Sequence, residues 1–93
     1  MSDVIRDLEE MLRERALRPA AESYTARLLA AGEDEIVKKV GEEAVEIILA
    51  AKGQGNERLI EESADLVYHL LVLLLSRGLS WADVEAELAH RRK

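Results

Sequence analysis

Apolar residues recur at helical spacing along most of this chain, and no stretch alternates apolar with polar as a half-buried strand would. Val4, Ile5, Leu8, Met11 and Leu12 share one stripe, preceded by Ser2 or Asp3 as an N-cap, and Pro19 ends or interrupts that helix. Ser23 is placed to cap a short second helix over Tyr24 to Ala31, with Gly32 at its C-terminal end. Glu33 and Asp34 suit the positive end of a third helix, which runs to about Lys52. Gly53-Gln54-Gly55-Asn56 is the loop. Asn56 is read as the cap of a fourth helix that reaches about Arg77 and closes at Gly78. Ser80 caps a last helix, with Trp81, Val84 and Leu88 on its apolar side. The expected fold is all-α, with four to five helices in a single domain over residues 1–93.

The third and fourth helices differ from the others. On the third, Ile36, Val40, Ala44, Ile47 and Ala51 form the predicted apolar stripe, and Lys39, Glu43 and Glu46 run along its edge, with Glu42 further round. The fourth is apolar nearly all round from Leu66 to Leu75, apart from a strip of Glu62, Asp65 and His69. A helix apolar on every side is covered on every side. One 93-residue chain has little material for that, so the bundle is expected to be completed by homodimerisation.

Carboxylates are the residues least at home on apolar helices. Yet Glu42, Glu43 and Glu46, then Glu62 and Asp65, stand in the two most hydrophobic stretches of the chain. Residues three or four apart share a helix face, so Glu43 points with Glu46 and Glu62 with Asp65. Packed antiparallel, the two helices would bring four acids together. Such a cluster repels itself unless a hard divalent cation, Mg²⁺ above all, sits among the oxygens. Four acids exceed what one Mg²⁺ takes from a protein, which suggests two ions or ions shared with substrate phosphates, as in phosphoanhydride cleavage. Glu9, Glu10, Glu35, Glu57, Glu61, Glu85 and Glu87 are read instead as solvated surface.

Composition narrows the field. A net charge of −6 argues against a nucleic-acid partner, which needs a basic face, but not against a phosphorylated small molecule bridged by metal. There is no Cys, hence no disulfide or thiolate chemistry. The start of the chain is charged and amphipathic, unlike a signal peptide, and the apolar run Leu70 to Leu75 is too short to span a bilayer. The expectation is a cytoplasmic protein without a membrane partner.

Glu42-Glu43-x-x-Glu46 followed by Glu62-x-x-Asp65 resembles the signature of the all-α, MazG-like nucleoside triphosphate pyrophosphohydrolases. The surrounding phrases resemble one branch, the phosphoribosyl-ATP pyrophosphohydrolases of histidine biosynthesis: Ser23-Tyr24-Thr25, Gly32-Glu33-Asp34, Lys38-Lys39-Val40-Gly41-Glu42-Glu43, Ala64-Asp65-Leu66-x-Tyr68-His69 and Arg77-Gly78-Leu79-Ser80. The resemblance covers roughly Ser23 to Leu88, and with no fused cyclohydrolase domain it suggests the stand-alone form. It implies Mg²⁺-dependent hydrolysis of 1-(5-phosphoribosyl)-ATP to 1-(5-phosphoribosyl)-AMP and pyrophosphate, the second step of the pathway. It implies Glu43, Glu46, Glu62 and Asp65 as metal ligands, and Glu42 as a further ligand or the base that takes the proton of water. Lys39 is a candidate phosphate contact, with an i,i+4 salt bridge to Glu43 as the alternative.

His69 among leucines reads as a packed, hydrogen-bonded residue, Tyr24 as core or interface with stacking on adenine as the alternative, and Trp81 as an anchor for the last helix. His90 and the basic end Arg91-Arg92-Lys93 read as a solvated, frayed terminus. Two other functions compete: a housecleaning hydrolase of ordinary or damaged nucleotides, and a non-enzymatic helical dimerisation module whose acids are surface. The branch-like phrases weigh against the first, and absence of Mg²⁺ binding would favour the second.

Overall fold

Five helices form where helical spacing predicts them, and the described residues contain no strand. The structure, a computed structural model, describes residues 3–20 and 22–92. The helices are α1 (Val4–Leu17), α2 (Tyr24–Ala31), α3 (Glu33–Gly53), α4 (Asn56–Ser76) and α5 (Trp81–Arg91). Only Gln54 and Gly55 separate α3 from α4, so the two turn back on each other as a hairpin, and this pair makes by far the most extensive contact. Ala50 is buried, and Leu12, Leu28, Ile36, Leu71 and Val72 form the buried core cluster. Ile5, Leu8 and Trp81 pack against that cluster, Trp81 as the expected anchor of α5.

The helix ends show local chemistry at work, with some corrections. Ser23 caps α2 as predicted, its Oγ accepting from Ala26 N at 3.1 Å. α1 stops at Leu17, since the residue before Pro19 is pushed out of the helical region. Asp3 occupies the N-cap of α1, but its side chain accepts no capping bond; Ser2 lies outside the described residues, as does Lys93. Asn56 is not a cap: it is already helical, and Gly55, with φ +91°, turns the chain in front of it. Ser80 is the N-cap of α5 as predicted, in a capping box with Asp83, whose Oδ2 accepts from Ser80 N at 2.9 Å. α4 ends in a Schellman turn: Leu79 N donates to Leu74 O at 2.8 Å and Gly78 N to Leu75 O at 3.0 Å. That geometry needs the left-handed φ of +72° that Gly78 supplies.

The main correction concerns the orientation of α3. Ile36 and Ala50 are buried and Val40, Glu43 and Ile47 half-buried, whereas Ala44 and Ala51 of the predicted stripe are exposed. The inward face is rotated by about 40° from the prediction at 100° per residue, toward Glu43 and Ala50. Glu43 therefore lies within the seam rather than at its edge. Val37, Val45, Ile48 and Leu49 are left on the outside, where Gly41 and Ala44 also lie. Along α4 the apolar run fares better than expected, since every residue from Leu66 to Leu75 is half-buried or buried within one chain. Glu9, expected to be solvated, is also drawn inward: its side chain is 16% exposed and its Oε2 accepts from Trp81 N at 2.7 Å, at the N-terminus of α5.

Candidate active site

The α3–α4 hairpin brings three carboxylates together. Glu43 of α3 and Glu62 and Asp65 of α4 each offer an oxygen, and these oxygens lie within 4.8 Å of one another. The three differ in setting: Glu62 is buried, Glu43 half-buried and Asp65 exposed, so the cluster opens to solvent on one side. Burial raises the Glu43 carboxyl above the ordinary range, helped by hydrogen bonding to Glu62 and by the nearby charge of Asp65. Metal-free, the fold therefore makes the charged form of Glu43 less favourable than it is in water. An all-oxygen donor set that is short of positive charge fits a hard divalent cation.

The other predicted site residues lie close by in sequence but outside that convergence. Glu46, one turn along α3, is half-buried and is not among the three acids that meet. Glu42 is exposed and pairs with Lys39, Nζ to Oε1 at 3.5 Å. Lys39 thus takes the i,i+3 partner rather than Glu43, the i,i+4 alternative expected from sequence. The nearby Tyr24 hydroxyl and the Glu42 carboxylate raise the affinity of the Lys39 amine for its proton, so it stays cationic.

Beyond the acids stands a small polar–aromatic cluster. His69 Nδ1 lies 2.8 Å from the carbonyl oxygen of Asp65, which only accepts, so Nδ1 carries a proton and donates. In the neutral ring, Nε2 is then an acceptor, and the Tyr24 hydroxyl donates to it at 2.8 Å. The Thr25 and Tyr68 hydroxyls are also bonded to each other. The Tyr24, Tyr68 and His69 rings meet at centroid distances of 5.4–6.2 Å, with both tyrosines edge-on to His69. These contacts fix α2 against α4 beside the acids. They make His69 the packed, hydrogen-bonded residue expected of it. Burial raises the Tyr24 phenol above its usual value, against the opposing pull of Lys39.

One residue the sequence reading passed over touches the site directly. Arg58, one turn before Glu62, sets Nη2 on Glu62 Oε2 and Nη1 on Glu61 Oε1. The i,i+4 spacing to Glu62 was the available signal.

Residues 5–92 match the family described as phosphoribosyl-ATP pyrophosphohydrolase. The phosphoribosyl-ATP pyrophosphatase of Pelotomaculum thermopropionicum is 55% identical over 91 residues, covering 98% of this chain and 93% of that protein. That of Pyrobaculum neutrophilum is 54% identical over 91 residues, covering 98% and 97%. That of Metallosphaera sedula is 44% identical over 93 residues and covers 100% of both. From Ile5 to Arg92, this chain belongs to the phosphoribosyl-ATP pyrophosphohydrolase family.

Proposed function

We propose that this protein hydrolyses 1-(5-phosphoribosyl)-ATP to 1-(5-phosphoribosyl)-AMP and pyrophosphate, in the cytoplasm and with Mg²⁺. The observation that carries the proposal is the convergence of Glu43, Glu62 and Asp65 in a chain of this family. Those three acids would hold the metal, and Glu46, one turn along α3 and outside their convergence, would be a further ligand. A bound divalent cation supplies positive charge against phosphate oxygens and makes a water more acidic. The protein's own groups do the rest. Glu42, exposed and next to Glu43 in the chain, takes the proton of the attacking water. Lys39, held cationic, binds a phosphate oxygen from its place beside Glu42. The α–β phosphoanhydride breaks and pyrophosphate leaves.

The proposal extends to a homodimer. The outward face of α3 carries Val37, Val45, Ile48 and Leu49, with exposures from 48% to 60%, and Ile60 of α4 is 69% exposed. Several large apolar side chains exposed along one helix point to an interaction site. A second copy burying it would complete the bundle at the hairpin that bears the acids.

The test is pyrophosphate release from phosphoribosyl-ATP, ATP and dUTP, each with and without Mg²⁺. Release should require Mg²⁺ and favour phosphoribosyl-ATP in kcat/KM. The second ribose phosphate, absent from ATP, supplies remote binding energy for the transition state. Equal kcat/KM for the three substrates would replace this reading with the housecleaning one.

A further inference from the structure

We infer that Arg58 is an internal counter-cation of the acidic site, neutralising Glu62 in the metal-free protein and competing with a divalent cation for that carboxylate. The inference rests on the metal-site reading above.

Glu62 is 6% exposed, and a buried carboxylate is costly unless it is paired. Its neighbours Glu43 and Asp65 are acids, which makes the cost greater. Arg58 provides the compensation, with one guanidinium nitrogen on Glu62 and another on Glu61. An arginine cannot shed its charge, so it cannot make way for a metal by losing a proton. A divalent cation approaching Glu62 meets a second positive charge already on that carboxylate. It must share the carboxylate or displace the guanidinium.

The geometry makes displacement easy. The Arg58 side chain is 45% exposed and Glu61 is 53% exposed, so the guanidinium can leave Glu62 while keeping its outer partner and its water. Metal affinity is thereby set below what the three acids alone would give. In return, Glu62 remains paired when no metal is present.

The experiment is calorimetric titration of Mg²⁺, without substrate and at fixed ionic strength, into wild type, Arg58→Gln and Arg58→Met. The methionine variant keeps an aliphatic stem should the glutamine variant fold poorly. Arg91→Gln is the control, since Arg91 pairs with Glu87 on α5 and its loss changes net charge equally. The neutral Arg58 variants should bind Mg²⁺ roughly three- to tenfold more tightly, the size of one close, hydrated ion pair. Arg91→Gln should bind as wild type does. Unchanged or weaker binding by the Arg58 variants would overturn the inference, as would equal tightening in Arg91→Gln, which would make the effect one of net charge. If wild type itself binds no Mg²⁺, the metal site falls and this inference falls with it. Binding by wild type with no gain in the Arg58 variants overturns this inference alone.

Discussion

Replacing Glu43 by glutamine nearly keeps the shape of a half-buried side chain and removes one charge from the point where the acids converge. Two unit charges 4.8 Å apart, the outer limit here, repel by about 0.9 kcal/mol in bulk water and by about 3.5 kcal/mol at an effective dielectric of 20. Glu43 has two such neighbours. Asp65 is exposed and Glu62 is already paired with Arg58, so the lower figure governs. Metal-free Glu43→Gln should be more stable than wild type by roughly 1–2 kcal/mol at pH 8. For a domain of this size that is a rise in Tm of roughly 5–15 °C. The sign with pH follows from the raised carboxyl. A proton on Glu43 is favoured in the fold, so this contribution is full below the unfolded value of about 4.3 and is lost as pH rises through the higher folded value. Wild type should therefore lose stability over that window without metal, and the variant should lose less. Mg²⁺ at a hundredfold excess over its dissociation constant should stabilise wild type by about 2.7 kcal/mol. The variant should gain less. Thermal melts at pH 5 and pH 8, with and without Mg²⁺ and at fixed protein concentration, read all of this. The reasoning fails if Glu43→Gln melts below metal-free wild type at pH 8, or responds to Mg²⁺ as wild type does.

Asp65→Asn should abolish most pyrophosphate release, and Glu46→Gln should lose less, because Asp65 belongs to the converging set and Glu46 stands apart from it; a fully active Asp65→Asn would remove the metal site from the account. Ile48→Glu puts a charge on the outward face of α3 and should yield a folded monomer by sedimentation, whereas unchanged sedimentation would mean that this face is not the dimer contact. Leu71→Ala empties a core position that is 2% exposed and should cost about 2–5 kcal/mol, read as a lower denaturation midpoint with Mg²⁺ present or absent. A loss below 1 kcal/mol would show that the α3–α4 core collapses around the gap.

Much of the fold is legible because it is local. Pro19, Ser23, Gly32 and Gly78 act on their immediate neighbours, and the helix ends they predict lie within a residue of those observed. The acidic pattern, too, is a property of spacing, and the chain as a whole matches the phosphoribosyl-ATP pyrophosphohydrolase family over residues 5–92. Where local preference is weak, prediction slips: Asn56 and Gly55 both suit the start of α4, and Gly55 takes the turn because it adopts a positive φ without strain.

The sequence by itself determined that the chain is helical, where its helices run, and that two of them carry acids on shared faces. Helical periodicity and capping are set by residues within a turn of one another, so one strand of text contains them. Tertiary structure decided how α3 is rotated, and with it that Glu43 lies in the seam while Val37 and Ile48 face out. Periodicity could not choose, because α3 has apolar residues on more than one side, and packing against α4 broke the tie. Tertiary structure also decided which acids meet, giving Glu43, Glu62 and Asp65 without Glu46. It drew Glu9 to the head of α5, 72 residues away, and joined Tyr24 to His69 across 45 residues. These contacts depend on the relative positions of whole helices, which burial of the shared core fixes and local spacing does not.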